Sequence, residues 1–179
     1  MSVTSKRQIA LADLKTRLSF ITKANGFSSD AGNAIFLGEI KKLGPSDGDS
    51  ALAIFVGSSE PPDSGRFTTG GLVRSKVPIH IHAIAKVPRD SSPLEVFEGL
   101  LADIKQAVEV EGNDPLHPEG AAWKDRYLGV IEGTTPSPAT LSRGLERDSE
   151  TVHFEEGCSV ITGVTVTYVM FLEEKWGQP

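Results

Sequence analysis

From Val77 to Val87 the chain alternates without a break. Val77, Ile79, Ile81, Ala83, Ala85 and Val87 hold the odd positions, and Pro78, His80, His82, Ile84 and Lys86 hold the even ones. A period of two is the mark of an extended strand with one face on a core and the other turned away from it. The closing stretch repeats the pattern. Val160, Val164, Val166, Tyr168 and Met170 share one side of "CSVITGVTVTYVMFLEE", with Thr165 and Thr167 on the other. Two one-sided strands require something to cover their apolar rows.

The helical segments can supply that cover. Leu11, Leu14, Leu18 and Ile21 recur at three- and four-residue spacing and predict a helix from about Lys6 to Lys23. Ser5 with Gln8 offers a capping box, and Asn25-Gly26 a left-handed stop. The second helix is the plainest element. Ser92 caps it, Pro93 takes its first position and Glu95 completes the box, with Leu94, Phe97, Leu101, Ile104 and Val108 as its apolar stripe.

Shorter strands are expected at Ala34–Ile40, Ala51–Gly57 and Arg126–Gly133, with Asp47-Gly48 as the bend between the first two. Two stretches rich in Pro, Gly and Ser, near 58–74 and 134–152, read as long loops, and residues 173–179 as a loose tail. The order helix, strands, helix, strands predicts one α+β domain over residues 1–179. It would hold an antiparallel sheet of about four to six strands, with two main helices packed on one face.

Eighteen basic residues against twenty-four acidic ones leave a net charge of −6. Specific nucleic-acid binding needs a basic stripe to displace counterions, and this balance opposes it. A single cysteine, Cys158, rules out an internal disulfide and a cysteine-rich zinc site. The start carries no signal-peptide pattern, and the longest uncharged run, Gly157 to Leu172, is broken by Thr, Ser and Gly. The expectation is a chain folded in a reducing cytoplasm, with no membrane contact.

His80 and His82 invite a metal-site reading, because imidazoles at i and i+2 on a strand point the same way. A resident metal needs three or four ligands, and the surroundings do not supply the rest. The cupin pattern would place Gly six residues before the first histidine and Glu four or five after the second. Those positions hold Arg74, and Lys86 or Val87. His117 and His153 fall in expected loops. Gly65 and Gly70 have phosphate-loop spacing, but Gly71-Leu72 stand where Lys and Ser/Thr belong. Cys158, five residues from His153, opens an apolar strand and reads as an inert thiol. No catalytic set and no cofactor are expected; His80 and His82 stay as the candidate metal ligands of an alternative reading, a small metal-dependent enzyme.

"RLSFITKANGFSSDAGNAIFLGE" from Arg17 to Glu39, "VPIHIHAIAKV", "SPLEVFEGLLADIKQAV" and "GVTVTYVMFLEEKWGQP" resemble, in pattern and order, the tail terminator proteins of bacteriophages, the group of the lambda-like minor tail protein U. The resemblance covers most of the chain and carries no catalytic signature. It implies a structural, non-enzymatic virion protein that is assembled in the bacterial host cytoplasm. Copies of it would form a ring, commonly a hexamer, on the end of the tail tube at the head–tail junction. There it would end polymerisation of the major tail tube protein and meet the head–tail connector, with DNA free to pass through the ring. A head–tail joining adaptor of related architecture is the alternative. Arg66, Arg74, His80, His82 and Lys86 are the candidate residues for contact with a second copy or a partner.

Overall fold

The computed structural model describes residues 6–38, 43, 48–58, 72–110, 142–155 and 161–175. Two helices, α1 (Lys6–Leu18) and α2 (Pro93–Glu109), accompany five strands: β1 (Ile35–Leu37), β2 (Ser50–Val56), β3 (Leu72–Lys86), β4 (Ser142–Glu155) and β5 (Ile161–Lys175). The strands form one sheet in the order β1-β2-β3-β5-β4. The class is α+β, as the element order predicts.

The odd face of β3 organises the core. Its register sets Ile81 between Ile54 and Val166, Ala83 between Leu52 and Val164, and Ile79 beside Tyr168. All of these are buried, and they join Leu14, Leu18 and Ile21 from the first helical segment and Phe97, Leu100, Leu101 and Ile104 from α2. Both helices therefore cover the same side of the sheet. The Tyr168 hydroxyl donates to Glu109 Oε1 at 2.9 Å and ties the end of α2 to β5.

The capping box of α2 forms as its sequence requires. Ser92 Oγ accepts from the Glu95 amide at 3.3 Å, and Glu95 Oε2 accepts from the Ser92 amide at 3.0 Å. Its buried stripe is Phe97, Leu100, Leu101, Ile104, Ala107 and Val108. Leu94, expected in that stripe, is 59% exposed and lies outside it. Asp103 lies within the buried set at 2% exposure. Its carboxylate accepts from the Ser28 amide (2.8 Å), the Ser29 amide (2.9 Å) and the Ser29 hydroxyl (2.6 Å). These three donors offset its lost hydration and pin the 28–29 backbone to α2.

The first helix stops at Leu18, short of the expected Lys23. Beyond Lys15 the bonding tightens, with Phe20 N–H to Arg17 O at 3.1 Å and Ile21 N–H to Leu18 O at 3.1 Å. Gly32 then folds back over this end, its amide donating to Ile21 O at 2.8 Å. A Cβ at position 32 would lie 2.5 Å from Leu18 O and 2.8 Å from both Ser19 O and Ile21 O, so only glycine fits. Gly26, at φ +86°, provides the left-handed residue, but it closes a 3₁₀ turn at Lys23–Asn25, not the helix itself. Ser5 of the expected capping box lies outside the described residues.

Four other expectations need correction. β1 spans only 35–37 and pairs with β2 in parallel, Ile35 facing Leu52 and Leu37 facing Ile54, so the sheet is mixed. A tight bend such as that expected at Asp47-Gly48 joins antiparallel strands and cannot by itself join this parallel pair. β3 begins at Leu72, inside the stretch read as a loop to 74. β4 occupies 142–155, most of which was expected to be loop up to 152. Its composition, SRGLERDSETVHFE, lacks the apolar alternation of an inner strand; at one end of the strand order it pairs only with β5 among the described residues. β5 runs to Lys175, so the expected loose tail at 173–179 begins as strand. The expected strand at 126–133 and the region 59–71 lie outside the described residues.

Alternate residues of β3 should respond differently to truncation. Ile81→Ala is expected to cost about 2–5 kcal/mol through lost burial and a residual cavity. Removing both imidazoles with His80→Ala/His82→Ala should cost less than about 1 kcal/mol. Urea unfolding monitored by circular dichroism compares the two. Gly32→Ala should cost about 1–3 kcal/mol by overpacking the end of α1, read as a lowered urea midpoint.

Candidate functional site

The second face of the sheet is the candidate site. Among the described residues, both helices pack on the first face. Down the middle of the second face, Phe55, His80 and Thr167 form one cross-strand row and Ala53, His82 and Thr165 the next. Pro78, His80, His82, Ile84, Phe55, Thr165 and Val169 are each half-buried, neither sealed in nor fully solvated. Apolar and hydrogen-bonding groups alternate over this surface.

Each histidine is held from the neighbouring strand. His80 Nδ1 lies 2.9 Å from Thr167 Oγ1, and His82 Nδ1 lies 2.7 Å from Thr165 Oγ1. Antiparallel pairing causes this match. The spacing His-x-His on β3 meets Thr-x-Thr on β5 with the order reversed, so each imidazole finds a hydroxyl directly opposite. Gly163 allows a close approach of the two strands at one end, since a Cβ there would sit 2.9 Å from Ala83 O and 3.0 Å from Ile84 Cγ2.

Lys86 shares the face but turns toward the start of β2. Its ammonium donates to Gly48 O at 2.9 Å and stands 3.5 Å from Asp49 Oδ1, while its amide donates to Asp49 O at 2.8 Å. Arg74 lies on β3 directly across from Glu173 of β5. Arg66, His117, Cys158 and the Gly65/Gly70 pair lie outside the described residues, and the register sets His153 of β4 opposite Gly163. The structure thus joins His80 and His82 into one unit, with Lys86 at its margin. Among the described residues, no group of three His, Cys, Asp or Glu is placed to hold a metal ion.

A groove of about 1090 Å³ opens at the end of the sheet, between the first turn of α2, the end of β3 and the 28–33 segment. Lys23, Lys86 and Arg89 line it together with Asp30, Asp49 and Glu95, so neither sign of charge prevails. The amino terminus of α2 opens here, yet Ser92 and Glu95 of its own box already occupy it. Among the described residues, no helix is long and apolar enough to cross a membrane.

The threonine partners and Asp103 escaped a reading of the sequence alone. The mirrored spacing His80-x-His82 and Thr165-x-Thr167 was the available signal for the threonines, once the two strands are paired antiparallel. Asp103 carried no such signal, since an acid in a helix ordinarily faces water. Neither a known protein-family model nor a curated protein matches the chain.

The two hydroxyl contacts should be visible in solution. Long-range ¹H–¹⁵N spectra are expected to report different ring-nitrogen environments for Nδ1 and Nε2 in both histidines. Thr167→Val should move the His80 signals far more than those of His82, and Thr165→Val the reverse. Equal responses from both rings would contradict the pairing.

Proposed function

We propose that this protein is a structural subunit of a phage virion. It assembles with copies of itself into a ring on the end of the tail tube. There it stops tube polymerisation and presents a surface to the head-side connector. The resemblance of its helix, strand and closing-strand patterns to tail terminators supports this reading, and the half-buried, mixed apolar and hydrogen-bonding second face of the sheet is the observation that carries it.

That face has the make-up of a surface that meets another protein. Phe55, Pro78, Ile84 and Val169 supply apolar area, and the two histidine–threonine pairs supply directional groups. The sheet also outreaches its cover. β3 and β5 pair at every position from Leu72↔Lys175 to Lys86↔Ile161, a ribbon about 50 Å long, against about 25 Å for α2. A rigid ribbon of that length can touch a neighbour at one end while its core stays sealed at the other. A head-to-tail contact repeated with a closing rotation makes a ring, and a ring whose two surfaces differ caps a tube in one direction. His80, His82 and Lys86 on this face, with Arg74 further along β3 and Arg66 in the preceding segment, are the contact residues proposed.

Native mass spectrometry and negative-stain microscopy of the purified protein, alone and with tail tubes, test the reading. Closed rings bound to tube ends are expected. Ile84→Asp should shift the population toward monomer while leaving the circular dichroism spectrum unchanged. A strict monomer that ignores tubes would defeat the proposal. Deleting the gene separates the roles: overlong tubes mark a terminator, whereas normal-length tails without heads mark a joining adaptor.

A further inference from the structure

We infer that the sheet continues from one copy of this chain to the next, β1 of one copy pairing antiparallel with residues 150–152 of β4 in its neighbour. This rests on the self-assembling subunit proposed above and names the contact that joins its copies.

The two edges complement each other in direction. β1 and β2 are parallel, while β2–β3, β3–β5 and β5–β4 are all antiparallel. The one parallel pair leaves β1 and β4, the ends of the strand order, running in opposite senses. Copies set side by side in the same orientation therefore bring β1 against β4 as an antiparallel pair. They also match in level. The register carries three rows across the whole sheet: Ile35–Leu52–Ala83–Val164–Val152, Phe36–Ala53–His82–Thr165–Thr151 and Leu37–Ile54–Ile81–Val166–Glu150. A neighbour at the same height meets Ile35 with Val152, Phe36 with Thr151 and Leu37 with Glu150, and every side chain keeps its face. The register shifts of β4 fall between Ser142 and Ser149, so this stretch is regular.

The backbone groups match as well. Leu52 N–H donates to Ala34 O at 2.8 Å and Gly38 N–H to Ile54 O at 3.0 Å, so the even residues of β1 bond to β2 while Ile35 and Leu37 turn outward. Gly57 N–H donates to Pro78 O and Lys86 N–H to Asp49 O, each at 2.8 Å, which commits the even residues of β3 to β2. Bonding directions alternate along a strand. Followed through β3 and β5, that alternation bonds Thr151 to β5 and turns Glu150 and Val152 outward. Ile35 with Val152 and Leu37 with Glu150 are then hydrogen-bonded pairs, each exchanging two N–H···O bonds. Among the described residues, no strand pairs with the outer edge of β1 or of β4. Leu37 is 63% exposed although its row is apolar through Ile54, Ile81 and Val166, and an added strand covers that end. Two different edges of one chain make a head-to-tail contact, the kind that closes into rings.

Disulfide trapping tests the inference, in a Cys158→Ser background. Phe36→Cys and Thr151→Cys fall in a non-hydrogen-bonded pair with Cα atoms about 4.5 Å apart, within disulfide reach. Inside one chain four strand spacings, roughly 19 Å, separate the two positions, so any bridge joins two copies. Oxidation of the double variant is expected to give a ladder of covalent multimers on a non-reducing gel. Phe36→Cys/Val152→Cys puts the thiols on opposite faces and should give at most about a tenth of that yield. Leu37→Pro removes an outward N–H that β2 does not use, and should turn rings into monomers in native mass spectrometry with the circular dichroism spectrum unchanged. Rings that form with equal trapping in both cysteine pairs, or that survive Leu37→Pro, would overturn the edge contact and leave the ring standing. A wild-type chain that stays monomeric would overturn both.

Discussion

The structure depends on β3 being flanked on both sides by strands that continue its buried row. Ile54–Ile81–Val166 and Leu52–Ala83–Val164 run across three strands as unbroken apolar lines, and α2 lies over them with Leu100, Leu101 and Ile104. Burial of such side chains is the main favourable term in folding. It also fixes the other face. Once the odd residues of β3 are committed to the core, His80 and His82 have no choice of side, and whatever the protein does with them happens on the second face.

Polar anchors then set how the pieces sit on that core. Asp103 draws the 28–29 backbone onto α2, Tyr168 reaches Glu109, and Arg7 Nη2 donates to Gly57 O at 3.0 Å to hold the start of α1 to the end of β2. Each joins segments far apart in sequence, which apolar contact alone would position only loosely. Gly32 works by the opposite means, letting backbone touch backbone where a side chain would wedge them apart.

Where a local rule governs, the chain was legible. The alternation of β3 and β5 and the Ser92–Pro93–Glu95 start of α2 follow from period and capping chemistry, and all three stand in the structure. Long-range partners were not legible. β1 and β2 look like the arms of a hairpin because Gly48 favours a turn, and Gly48 does adopt φ +73°, but pairing with β2 in parallel is a property of the sheet and not of either segment. β4 was hidden for a related reason. A strand with one neighbour among the described residues can carry Arg143, Glu146, Arg147, Asp148 and Glu150, and such charge reads as loop until its partner β5 is known. The candidate site lay between these cases. The histidines and threonines were each assigned to the outer side of a strand, and only the register set them opposite one another.

The Asp103 anchor carries a mechanical consequence. Because one carboxylate grips two successive amides, the passage from α1 to β1 and the second helix travel as a single block. A displacement of α2 is therefore passed directly to the 28–29 backbone through short, directional bonds, where apolar contact alone would let the two slide.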